Sequence, residues 1–113
     1  MPDGAASTYS AIAAVLTASR LGVEAGLKCP DAETGDALET PTTEEHTADH
    51  LGAAIEALRA DKKFANAIGS EMVDQYLAIK EIEWGKYLAA NGNWEETIDR
   101  FTEWEENYYL PYL

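Results

Sequence analysis

Basic residues are scarce in this chain, cysteine is all but missing, and no apolar run is long. Eight Lys and Arg stand against 21 Asp and Glu, a formal charge of -13. That balance argues against binding nucleic acid or an anionic membrane through charge attraction. It fits a solvated acidic surface, a basic partner, or a salty medium in which dense carboxylates keep a protein hydrated. Cys29 is the one cysteine, so no internal disulfide forms and a reduced, cytoplasmic setting is the default. The apolar stretch from Ala11 to Leu16 is far short of the roughly 20 residues of a membrane span. Met1-Pro2-Asp3 is the wrong start for a signal peptide. Also missing are a GxGxxG, a P-loop, a CxxC and a nucleophile elbow, which removes the common signatures of nucleotide, redox and acyl-transfer chemistry. Cys29, with each histidine far away, is too little for a nucleophilic dyad and reads as a free structural thiol.

What is present is helical patterning. A chain of 113 residues, 46% of them apolar, is one domain with a modest core. No alternating strand pattern of convincing length occurs. The fold expected is all-α, a small bundle of four to five helices with one long central helix, about Ser70 to Leu88, and an acidic loop. Residues 1–28 hold an alanine-rich helix from Ala5 to Val23, with Tyr9, Ile12, Ala13, Leu16, Arg20 and Val23 on one stripe and Gly22 and Gly26 at its end. Its many small residues predict close packing on another layer. Residues 29–49 form an acidic connection holding seven carboxylates and no Lys or Arg between Asp31 and Asp49. Residues 50–92 begin with a short amphipathic helix, Leu51, Ala54, Ile55 and Leu58, capped by Asp49, and a second piece restarted by Asp61.

The long helix follows, with Ser70 as its N-cap. Val73, Tyr76, Leu77, Lys80, Trp84, Tyr87 and Leu88 fall on one face, interrupted only by Lys80. Asn91-Gly92 closes it, since both residues tolerate a left-handed conformation. Over 93–113, Asn93 and Glu96 read as a capping-box variant opening a last helix through Ile98, Phe101, Trp104 or Glu105, and Tyr108, before an apolar tail.

Candidate chemistry is thin. His46 and His50, four apart, would share a helix face and could hold zinc, but no third ligand is set by spacing; a metal-dependent hydrolase built on them is the third functional reading. The pairs Glu95/Glu96 and Glu105/Glu106 point different ways from a helix, so acid-base work by them would need a cleft that separates their pKa values. Three tryptophans and six tyrosines suit a core or an interface better than base stacking, given the charge. Trp84, Trp104, Tyr108, Tyr109, Leu110, Tyr112 and Leu113 are the interface candidates.

The order of features resembles the C-terminal part of the glutamine synthetase superfamily, which includes the enzymes that join glutamate to other amines. Pro2-Asp3-Gly4-Ala5-Ala6 with Tyr9 resembles the family's RxPDGAANPYL, and Gly22-Val23 stands where Gly-Ile is usual. Leu51 to Ala60 with Asp61 is similar to its L..AldALeaD helix. Ile68-Gly69 through Lys80 resembles lG.elvdaYla.K, Glu83-Trp84 matches its Glu-Trp, and Phe101-Thr102-Glu103-Trp104-Glu105 with Tyr109-Leu110 resembles the closing vTdWE…YL. In this chain Ser7-Thr8 replace Asn-Pro, Ser19-Arg20-Leu21 replace a more apolar and acidic segment, and an insertion lies between Tyr87 and Phe101.

The resemblance implies ATP-dependent amide formation through a γ-glutamyl phosphate, with Mg or Mn, in the parent family. The family's metal-binding glutamates, phosphate-handling arginines and ammonium-site residues lie on strands and loops that would precede Met1. For this chain it therefore implies no catalytic, cofactor or metal residue, and no turnover by the chain alone. The partner implied is a further copy or a synthetase subunit. A self-standing acidic interaction protein that self-associates or binds such a subunit is the alternative.

Overall fold

Five α-helices form among the described residues, the first four where the apolar spacing puts them, and no strand occurs there. The computed structural model describes residues 6–32, 34–36, 47–98 and 100–112, the last by its backbone alone. The expected all-α bundle is what is found. Most of the acidic connection, including His46, lies outside the described residues.

Helix α1 (Thr8–Glu24) starts after Ser7, whose Oγ accepts the Ser10 amide at 3.5 Å. It ends in a left-handed Gly26 at φ 64°, where the Leu27 amide returns to the Gly22 carbonyl and the Gly26 amide to that of Val23. These two bonds satisfy carbonyls that a helix end otherwise leaves open. Helix α2 (Leu51–Ala60) is capped by His50, not by Asp49: the Ala53 amide donates to the imidazole Nδ1 at 3.1 Å. Asp61 does restart the chain, accepting the Phe64 amide at 2.9 Å to open α3 (Lys62–Ile68).

Helix α4 (Ser70–Asn91) is the longest element, and Ser70 is its first helical residue, not its cap. The cap position belongs to Gly69 at φ 122°, ψ 103°, with no side chain supplying a bond. The tight joint between α3 and α4 demands a positive φ there, so the helix restarts before a serine cap can form. At the far end Gly92, at φ 75°, closes α4.

After that the expected last helix divides. Trp94–Glu96 is a single 3-10 turn, in which Asn93 accepts the Glu95 amide at 3.4 Å and its own amide group reaches Glu95 at 3.1 Å. Helix α5 (Glu103–Tyr109) begins later, under a full capping box made by Thr102 and Glu105. Ile98 and Phe101 precede it and are exposed. The complete reciprocal box outcompetes the partial one at Asn93, whose acceptor reaches only two residues ahead.

Helices α2, α3 and α4 pack on one another around Ile55, Ala65, Val73 and Leu77, with Leu51, Leu58, Ile68 and Trp84 against them. Burial of Ile55, Val73 and Leu77 contributes on the order of 1.5–3 kcal/mol each. Helix α1 lies on α3 with the side that carries Ser10, Ala11, Ala14 and Leu21 half-buried, so its small residues do face a neighbouring layer. Its large residues do not: Tyr9 is 89% and Val23 82% exposed, and Ile12, Val15 and Leu16 are exposed as well. The radius of gyration, 16.4 Å, exceeds the about 13 Å of a compact 100-residue chain. No described helix is long and apolar enough to cross a membrane.

Candidate functional site

The junction of α2, α4 and α5 gathers the aromatic residues that the sequence leaves scattered. Trp84 and Tyr87, three apart on α4, stack at 5.2 Å between ring centroids. On one side His50 lies over Trp84 at 5.2 Å and against Trp94 at 4.5 Å. On the other side Tyr87 meets the edge of Trp104 at 5.5 Å, and Trp104 stacks on Tyr108 at 4.6 Å. The rings form a continuous chain from the 3-10 turn to the C-terminal helix. Gly52 makes room for it, since a Cβ there would come within 2.8 Å of the Trp84 indole.

Beneath the rings lies a polar lock. Glu83 is 4% exposed, yet both carboxylate oxygens are bonded: Lys80 Nζ donates to Oε2 at 2.7 Å, and the Tyr109 hydroxyl donates to Oε1. Burial first, then the bond to Glu83 and its negative charge, push the Tyr109 phenol well above its ordinary 10.0. The Tyr87 hydroxyl and Thr97 Oγ1 are 2.5 Å apart, and Thr97 also donates to the Trp94 carbonyl at 2.9 Å. Lys80, which interrupts the apolar face in the sequence, thus has a buried partner one turn on. Its stem packs while its ammonium reaches Glu83.

A groove of about 200 Å³ opens over this junction, its walls including Trp84, Trp94 and Trp104 and its charged groups Asp49, Arg100 and Glu105. Glu105 is occupied: its Oε2 accepts the Thr102 amide at 2.8 Å and the Thr102 hydroxyl at 2.7 Å. Glu83 is committed on both oxygens, whereas Glu105 spends Oε2 on Thr102. Among the described residues no cluster of three or more His, Cys, Asp or Glu could hold a metal ion. His50 spends Nδ1 on the α2 amide, and His46 lies outside the described residues.

Of the interface candidates, Trp84, Trp104, Tyr108 and Tyr109 lie in the ring chain and its lock, each half-buried within this chain. Leu110 is 51% exposed. The Tyr112 side chain and Leu113 lie outside the described residues. Sequence reasoning missed the roles of Glu83 and Thr102, and read His50 as a zinc candidate where the structure makes it the cap of α2. For Thr102 and Glu105 a signal was available, the T-x-x-E spacing. For Glu83, placed beside an apolar stripe, only the three-residue spacing from Lys80 hinted at a partner.

Comparison with known proteins gives consistent matches. The profile of the family described as glutamine synthetase, catalytic domain, matches residues 1–98. The chain is 31% identical over 99 residues to a glutamine synthetase of Staphylococcus epidermidis, covering 82% of this chain and 22% of that protein. It is 31% identical over 113 aligned residues to a glutamine synthetase of Halobacterium salinarum, covering 90% and 23%. A glutamine synthetase of Staphylococcus aureus is 29% identical over 99 residues, covering 82% and 22%. The chain thus spans less than a quarter of the length of the curated relatives it matches. No solved structure matches it.

Proposed function

We propose that this chain, which belongs to the glutamine synthetase family, acts as a helical support and contact layer that needs the remainder of a synthetase fold, in the same or another subunit, to take part in catalysis. The observation that carries this reading is the outer stripe of α1. Tyr9, Ile12, Leu16 and Val23 recur at helical spacing and are all exposed, while the helix buries no residue. A helix apolar on its outer side and small-residued on its inner side is built to lie between two layers, and this chain supplies one of them. The short share of each relative's length that is matched agrees with a missing second layer. On this reading the amide-forming chemistry, its ATP and its divalent metal belong to residues outside this chain.

Two measurements test it. The purified chain, given ATP, glutamate and an amine in a coupled assay, is expected to show no turnover above background. The S. epidermidis relative, truncated to remove the region this chain matches, is expected to regain activity when co-expressed with this chain. Turnover by the chain alone, or a failure of the pair to assemble, would remove the support-layer reading.

The alternative, a self-standing acidic bundle whose exposed stripe pairs with a second copy, draws on the same exposed residues. Light scattering distinguishes them: a mass that doubles with concentration and reverts in an Ile12→Glu, Leu16→Glu variant favours self-association.

A further inference from the structure

The cap of α2 differs in kind from the other caps of this chain. Ser7, Asp61 and Thr102 accept amide hydrogens through oxygen, whereas His50 does so through a ring nitrogen, Nδ1, at 3.1 Å from the Ala53 amide. An imidazole nitrogen accepts a bond only while it carries no proton. The neutral ring of His50 therefore has its hydrogen on Nε2. A proton added to Nδ1 turns the acceptor into a donor facing a donor, and the first turn of α2 loses its side-chain cap. No acidic residue lies in that turn to take its place.

The surroundings of the ring hold it in either state. It lies over Trp84 at 5.2 Å and against Trp94 at 4.5 Å, and indole faces attract a cation. Nε2 is 3.7 Å from Asp49 Oδ1, and the side chain is 24% exposed, so solvent can deliver the proton. The other titratable or charged groups facing the same groove are Tyr87 from α4, Arg100, and Glu105 and Tyr109 from α5. Arg100 opposes a positive ring, and Asp49 and Glu105 favour one. Lys80 and Glu83 of α4 are paired with each other and, like Glu95 and Glu96 of the 3-10 turn, do not line the groove.

We propose that His50 is a pH-sensitive cap: uptake of a proton at Nδ1 in weak acid releases the first turn of α2, while the imidazolium stays held by Asp49 and the indoles. Residues 49–51 form one wall of the groove and Leu51 packs against the core, so the switch couples acidity to the junction of α2 with the ring chain. It operates whether or not the chain serves as a support layer.

The test is amide exchange by NMR on the whole chain from about pH 8 to 5.5, the range in which imidazoles change charge, with rates corrected for the pH dependence of free amides. Protection of the Ala53 amide should fall about fivefold, the value of one typical cap, with the same midpoint as the ring protons of His50. Asparagine caps through an uncharged oxygen, so in His50→Asn the Ala53 amide should stay protected across the range. His46→Asn, which removes the chain's other imidazole, should leave the fall in place. Constant Ala53 protection while the His50 ring titrates, a ring that takes up no proton in this range, an equal fall in His50→Asn, or loss of the effect in His46→Asn would each overturn the proposal.

Discussion

The hydroxyl of Tyr109 donates to the buried carboxylate of Glu83, joining α5 to α4 across 26 residues of sequence. Lys80 holds the other oxygen of the same carboxylate at 2.7 Å. The C-terminal helix is therefore fastened through one acidic residue in the middle of the longest element. Tyr109→Phe should cost about 1.5–3 kcal/mol in urea unfolding, the value of a hydrogen bond to a charged group.

The same bond sets an alkaline limit. The folded phenol ionises above its ordinary 10.0 because of burial and Glu83, so the folded state holds this proton more tightly than the unfolded chain. Its contribution is complete below about pH 10 and is lost as pH rises through the higher folded value. Thermal melts from pH 9 to 12 should show wild type losing stability faster than Tyr109→Phe. Parallel curves would mean that the Tyr109–Glu83 contact does not form in solution.

Two helical glycines should respond with opposite sign. A Cβ at Gly52 would sit 2.8 Å from the Trp84 ring, which is held between His50 and Tyr87. Gly52→Ala should destabilise on balance, since overpacking costs about 1–3 kcal/mol against at most about 1 kcal/mol of helix propensity. Gly85 has open space around it, so Gly85→Ala should stabilise by about 0.5–1 kcal/mol. Denaturant midpoints of the two variants measure both, and a shift of equal sign would contradict the placement of Trp84 over α2.

The two caps should also differ. Thr102 accepts the Glu105 amide at 3.2 Å and completes a capping box, whereas Asn93 holds only a 3-10 turn. Thr102→Ala should lose about 0.5–2 kcal/mol and Asn93→Ala no more than about 0.5 kcal/mol. Hydrogen exchange at the amides of Glu105 and Glu106 should rise in the Thr102 variant alone.

Salt should stabilise the chain. With a formal charge of -13, self-repulsion opposes compaction, and the Debye length falls from about 10 Å at 0.1 M to about 3 Å at 1 M salt. The melting temperature is expected to rise between those concentrations of potassium chloride. A flat or falling profile would show that its few ion pairs, such as Arg20–Glu24 at 3.2 Å, outweigh the net repulsion.

Much of the fold follows from local pattern. Helical spacing from Val73 to Leu88, the left-handed tolerance of Gly26 and Gly92, and the Asp61 cap are decided by residues within a turn or two of one another. Those features place α1 to α4 within a few residues of where they form. The last helix is displaced because the complete Thr102–Glu105 capping box outcompetes the partial cap at Asn93. The candidate groove was not legible at all. Its walls come from residues 49 to 51, from α4 and from residues 94 to 109, and no periodicity links segments so far apart.

The sequence by itself therefore determined the helical class, the boundaries of the early helices, the family and the acidity, since each depends on short-range pattern or on a count. Only the tertiary structure decided that Glu83 is buried between Lys80 and Tyr109, that His50 caps α2 while lying over Trp84, and that the large residues of α1 face outward. The physical reason is burial. A carboxylate, an imidazole or an apolar stripe takes its role from the neighbours that remove it from water, and those neighbours are chosen by how the helices pack, not by their order along the chain.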